Sequence, residues 1–149
     1  MNQSVQLNEQ VQQQIKDFFG PAQSIYTREN ALSDGVLVDV SDIAIDVGIR
    51  IPIAITSEAW SHYVQWTSDD ADKQDRTYQN ESGRLWNIFR VLKFALMGKS
   101  TRSPAFLFEI ACVPRDGQSF LAEAMDVKCI LGQDENGKAC ITLMMPGQD

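Results

Sequence analysis

The stretch QNESGRLWNIFRVLKFALMG, Gln79 to Gly98, decides the reading of the fold, because it is the longest apolar run in the chain that can only be a helix. Leu85, Ile88, Phe89, Leu92, Ala95 and Leu96 recur at the i, i+3, i+4, i+7 spacing of a core-facing stripe. Trp86, Val91 and Phe94 cover most of the remaining circumference, leaving Arg84, Asn87, Arg90 and Lys93 as a narrow polar strip. The pattern predicts a central helix over 81–97 that is packed on several sides.

Downstream, GKSTRSP reads as a linker. Gly98-Lys99-Ser100 imitates the end of a phosphate-binding loop, but position 93 is Lys93 where that motif needs glycine, and a helix precedes it where a strand should. Period-two alternation follows. Phe106, Phe108, Ile110 and Cys112 share one face, PRDGQ marks a turn, and Met125, Val127, Cys129 and Leu131 share a face again. DENGK is a hairpin signal ahead of ITLMM. Residues 105–145 are thus expected to form a β-meander of about three antiparallel strands under the central helix, with further N-terminal helices, in a single α+β domain spanning 1–149.

Upstream, residues 6–19 place Leu7, Val11, Ile15, Phe18 and Phe19 at helical spacing among six glutamines in the first fourteen positions, an amphipathic helix ended by Gly20-Pro21. Its outer face is either solvated or a partner-binding surface. Thr27 is expected to cap a short helix that stops at Asp34-Gly35, with a strand over Val36 to Val40. Ser41-Asp42 offers a cap for a helix through Val47 closed by Gly48. Ile51 to Ile55 reads as a buried strand whose Pro52 belongs at a sheet edge or a strand start. Thr56 or Ser57 then caps a helix carrying Trp60, Tyr63, Val64 and Thr67 on one side, and its aromatics, Trp66 among them, belong in the core before a groove.

Between the aromatic helix and the central one lies SDDADKQDRTYQN, a polar connector holding Asp69, Asp70, Asp72 and Asp75. Asp70, Asp72, Gln74 and Glu81 occupy positions 1, 3, 5 and 12 of a calcium loop. Position 6, which needs glycine for the sharp turn, is Asp75, and position 8, ordinarily apolar, is Thr77. No metal is expected there. A solvated acidic loop or a helix extension is the plainer reading.

Composition bounds the function. The chain has 149 residues, 44% hydrophobic and 22% charged, which suits one domain with its own core. Twenty acidic residues against thirteen basic ones give a net charge of −7, which argues against direct nucleic-acid binding, since phosphates are neutralised by clustered Lys and Arg. Such a charge either keeps the protein in solution or engages a basic protein partner. The polar N-terminus and the lack of an apolar run near ~20 residues give no targeting or membrane segment, so a cytoplasmic protein is expected. Cys112, Cys129 and Cys140, odd in number and set in strand-like runs, suit reduced core thiols.

The chemical inventory is thin. His62 has no cysteine or histidine close in sequence for a zinc site, and a thiol nucleophile paired with it would have to assemble in space. The Gly-x-Ser-x-Gly elbow is absent. No cofactor and no catalytic residue is assigned. Glu81-Ser82-Gly83-Arg84 is the most specific polar cluster: Glu81 and Arg84 either project into a cleft beside the connector, or serve the helix dipole and hold the connector's aspartates.

Gln79-Asn80-Glu81-Ser82-Gly83-Arg84-Leu85-Trp86-Asn87 resembles the QDESGRLWD signature of an uncharacterised family of small acidic bacterial proteins encoded on plasmids, integrative elements and phages. The likeness extends through Asp34 to Ser41, Pro52, Thr56 to Trp60, Pro114 to Gly117 and Pro146 to Asp149. Asn80 and Asn87 stand where the signature has aspartates, and Gln148 where an acidic residue is usual. The resemblance implies a mobile-element setting and brings no activity. Two functions follow. One is a non-enzymatic accessory protein that modulates a host nucleic-acid-handling or defence complex through an acidic surface, with Asp69, Asp70, Asp72 and Asp75 as binding residues. The alternative is a small enzyme or ligand-binding domain with a polar site around Glu81 and Arg84.

Overall fold

The computed structural model describes residues 26–98 and 103–149. The helix expected over 6–19 and most of the 98–104 linker lie outside these residues. In chain order the elements are α1 (Arg28–Ser33), β1 (Leu37–Asp39), α2 (Ser41–Val47), β2 (Ile53–Thr56), α3 (Ser57–Ala59), a π-helical turn (Trp60–Val64), α4 (Ser68–Lys73), a 3-10 turn (Asp75–Thr77), α5 (Glu81–Gly98), β3 (Ala105–Cys112), β4 (Glu123–Gln133) and β5 (Ala139–Met144).

The expected meander forms, with β4 antiparallel to both β3 and β5. It is part of a larger sheet than the three strands anticipated: five strands in the order β1-β2-β5-β4-β3, with β1 antiparallel to β2 and β2 parallel to β5. The two extra strands fall where strands were expected over 36–40 and 51–55, but with three and four residues they are too short for their pattern to show that they join this sheet, and β2 is buried at every position. Pro52 precedes β2, where its missing N–H costs no ladder bond. Its carbonyl accepts the Ile141 amide at 2.9 Å.

α5, α2 and the π-helical turn cover one face of the sheet. Leu85, Ile88, Phe89 and Leu92 of α5 meet Phe108, Ile110 and Cys112 of β3, Val127 and Cys129 of β4, and Ile141 and Leu143 of β5, joined by Tyr63, Val64, Ala44 and Val47 from the shorter helices. The three cysteines form no disulfide and are buried, as their apolar surroundings suggest. At fully buried positions each of the Leu, Ile, Val and Phe side chains contributes roughly 1.5–3 kcal/mol of transfer free energy.

The all-round burial expected of α5 is not found. Its inner face is buried, while Trp86 is 41% and Phe94 71% exposed. The sheet meets the helix on one side only, and Lys93 reaches across another to place its ammonium 3.0 Å from the Val47 carbonyl. That carbonyl ends α2, whose cap Gly48 has φ 98°; a Cβ there would stand 2.9 Å from the Lys93 Nζ. Conversely Arg84, read from sequence as part of the polar strip, is 5% exposed.

Local signals account for the remaining boundaries. Thr27 and Thr56 accept from the Asn30 and Ala59 amides as helix caps. Ser41 does not cap α2: its hydroxyl donates to Asp39 and accepts the Ile53 amide at 3.0 Å, pinning the helix start to β2. Arg28 anchors α1 on β5 through the Thr142 hydroxyl and the Ile141 carbonyl, both at 2.6 Å. Gln148 accepts from the Thr56 hydroxyl and the Met145 amide while donating to Glu58.

Candidate functional site

The acidic connector folds back on the protein. Thr67 and Asp70 form a reciprocal capping box at the start of α4, so the connector's first half is a helix. Asp70 also takes the Arg115 guanidinium at 2.8 Å with only 13% of its side chain exposed. Burial pushes the Asp70 carboxyl up, but the Thr67 amide and Arg115 outweigh it and hold the group below the ordinary aspartate value. Arg115 continues to the Ser61 carbonyl and the Gln65 side chain. Asp70 is therefore a joint between α4 and the β3–β4 loop. Asp69, Asp72 and Asp75 remain exposed, with Asp69 paired to Lys73 at 3.1 Å.

Gln74, read from sequence as one more polar connector residue, is 1% exposed. Its amide donates to the Pro114 and Ser119 carbonyls at 2.9 and 2.8 Å and accepts the Gly117 amide at 3.1 Å. The loop it grips is tied internally by Asp116, whose carboxyl is lowered to about 2 by bonds from the Ser119 hydroxyl and the Ser119 and Gln118 amides. With Asp70 and Gln74 committed in this way, positions 1 and 5 of the calcium-like spacing face protein partners. Among the described residues no group of three His, Cys, Asp or Glu side chains is placed to hold a metal.

Glu81 and Arg84 part company. Glu81 accepts the Trp66 amide at 3.3 Å, and no ion pair joins it to Arg84. Arg84 turns inward from the first turn of α5. Nε donates to the Val64 carbonyl at 3.1 Å, Nη1 to the Gln79 amide oxygen and the Val113 carbonyl at 3.1 and 2.9 Å, and Nη2 to the Cys112 sulfur at 3.5 Å. The guanidinium carbon lies 4.8 Å from the centre of the Trp66 ring, a cation–π contact. The Val64 carbonyl closes the π-helical turn, an irregularity that spares a carbonyl from the helix ladder. Burial lowers the Arg84 pKa and raises that of the Cys112 thiol, against which the neighbouring guanidinium works. The thiol therefore stays protonated and weakly nucleophilic.

Arg84 lines a cavity of about 280 Å³ between the start of α5 and the end of β3. Around it stand Gln79, Asn80, Gly83 and Asn87 from the helix side, Ile110, Ala111, Cys112 and Val113 from the strand side, and Tyr63, Tyr78 and Ala122. Asn80 takes the Gly83 amide at 2.7 Å, and Asn87 donates to the Ala111 carbonyl at 2.7 Å across the gap. The Tyr63 hydroxyl donates to the Asp126 carbonyl, which lies beyond the last β4 residue paired with β5. Tyr78, 88% exposed, holds a left-handed backbone with φ 53°, the one such non-glycine among the described residues.

Of the sequence candidates, Arg84 alone lines this cavity. Glu81 faces a shallow groove with Trp66 and Thr67 on the other flank of the helix start, and the four aspartates lie elsewhere. Asn80, Asn87, Tyr63 and Tyr78 were not among the site candidates drawn from sequence. The first two were legible, since positions 80, 84 and 87 share one side of a helix. His62 lines a separate open groove with Ser57, Glu58, Ser61 and Met145, so no thiol–imidazole pair forms.

The chain belongs to the family of unknown function DUF6573, which matches residues 3–149. No curated protein and no solved structure matches it. No helix among the described residues is long and apolar enough to cross a membrane.

Proposed function

We propose that this domain is a non-catalytic binding module whose cavity between the start of α5 and the end of β3 receives a small polar ligand or a projecting group of a partner. One observation carries the reading: a buried guanidinium lines a concave site beside three side-chain amides and an exposed tyrosine, the few convergent polar groups typical of a recognition pocket. The surroundings offer binding groups and no reactive pair, because Cys112 is buried and protonated and His62 lies in another groove.

A second reading is favoured by the outward placement of Asp69, Asp72 and Asp75 together with the net charge of −7. On that reading the chain is an accessory of a mobile element that modulates a host nucleic-acid-handling complex by presenting acidic surface to a basic protein partner. Asp70 contributes to it only indirectly, being engaged with Arg115.

Thermal unfolding across a small-metabolite library, on the wild type and on Ala122→Trp, separates the two. Ala122 is exposed on the cavity wall, so the larger side chain fills the cavity without disturbing the core. A ligand at a hundredfold excess over its Kd stabilises the fold by ~2.7 kcal/mol, a rise of roughly 5–10 °C for a domain of this size. The binding-module reading expects compounds that raise the wild-type melting temperature and leave Ala122→Trp unmoved. Compounds that act equally on both proteins, or none that act, would overturn it.

A further inference from the structure

We infer that the ligand of this cavity is a small monocarboxylate with an apolar or aromatic body, its carboxylate seated on Arg84 and its body against Tyr78; this rests on reading the cavity as a binding site. Arg84 is 5% exposed, yet no carboxylate lies within ion-pair distance of it among the described residues. Its bonds go to carbonyls, one side-chain amide and one thiol, all neutral. A buried charge held by neutral partners alone is costly, and an anion entering beside it would offset that cost. Four of the five guanidinium N–H groups have these partners; the fifth, on Nη2, has none among the described residues. The thiol sharing that nitrogen is the weakest of the acceptors and the easiest to displace.

The charge of the site sets the charge of the ligand. One guanidinium is joined by the N-terminal end of α5, an 18-residue helix whose first turn, at Gly83, forms part of the wall. Together they supply about one and a half positive charges. That suits a monoanion. A phosphate dianion would lack a second cation, since among the described residues no Lys and no other Arg lines the cavity. Asn80 and Asn87 present amides at the rim; a carboxylate at either position would sit beside Arg84 and compete with the ligand. Tyr78 adds an exposed ring held in a backbone conformation that a residue with a Cβ adopts at a cost. Such a ring at the mouth offers a flat apolar surface to whatever carries the anion.

The test is a titration of the 15N-labelled full-length chain with benzoate, benzamide and inorganic phosphate, following the backbone amides of Gly83, Arg84, Ala111, Cys112 and Val113. Benzoate should shift these resonances saturably, benzamide and phosphate should be much weaker, and benzoate affinity should fall roughly tenfold in Asn87→Asp, which adds a carboxylate to the lining that Arg84 shares. The amide spectrum of that variant away from the cavity reports whether it is folded. Benzamide binding as well as benzoate would overturn the carboxylate assignment and leave the cavity a binding site. Phosphate binding tighter than benzoate would overturn the monoanion assignment. Failure of all three to shift these amides would overturn both readings, as undiminished benzoate binding in folded Asn87→Asp would overturn the role of Arg84.

Discussion

Arg84 and Asp70 are opposite charges that the fold treats differently. Asp70 is neutralised by Arg115 and serves as a helix cap, so its charge is spent inside the structure. Arg84 is surrounded by neutral acceptors and keeps its charge available at the cavity. The difference gives a prediction for the acidic connector. Changing Asp69, Asp72 and Asp75 together to asparagine should leave the melting temperature nearly unchanged, because exposed charges contribute little. Asp70→Asn should lower it at neutral pH by breaking a largely buried joint. The Asp70 carboxyl is held below its ordinary value, so its contribution is present above about pH 4 and is lost as the pH falls through the lowered folded value. The gap between wild type and Asp70→Asn should therefore close on acidification. A gap that is constant or widens between pH 7 and pH 3 would contradict the role given to Asp70. The sequence offered all four aspartates as equals; Asp70 differs because of Arg115, 45 residues away, and no local pattern carries that information.

α5 and the meander were legible because their periodicity is long: the helix runs 18 residues and β3 and β4 run 8 and 11. β1 and β2 are too short for a period, and the parallel pairing of β2 with β5 joins segments that are 88 positions apart in register. Their place in the sheet could not be read locally. Amphipathy also failed at one point, since apolar residues around a helix need not all be covered: Trp86 and Phe94 face outward. This distinction is measurable. Leu92→Ala, at a position with no exposure, should cost ~2–5 kcal/mol in urea unfolding. Phe94→Ala should stay within about 0.5 kcal/mol apart from a small loss of helix-surface contact. Equal and large losses at the two positions would restore the helix packed on all sides.

At the scale of the whole molecule, α5 and α2 lie on one face of a mixed five-stranded sheet, and the connector is clamped to the β3–β4 loop by Asp70, Arg115 and Gln74. That clamp sets the wall of the cavity opposite α5, because the same loop carries Val113 and Ala122. The stretch from Gln79 to Gly98 thus serves twice: Leu85, Ile88 and Phe89 build the core, while Asn80, Gly83, Arg84 and Asn87 line the cavity. Of the Glu81–Arg84 cluster singled out in the sequence, Arg84 lines the cavity and Glu81 does not. Glu81 turned to the other flank because the Trp66 amide offered it a partner there. The most direct measurement is a crystal structure of the full-length chain soaked with sodium benzoate. The expected result is a bound molecule between the start of α5 and the end of β3, with carboxylate oxygens at hydrogen-bond distance from Arg84 Nη2 and the ring against Tyr78. A soaked crystal with this cavity open to solvent and free of benzoate, or with benzoate bound only elsewhere, would contradict it.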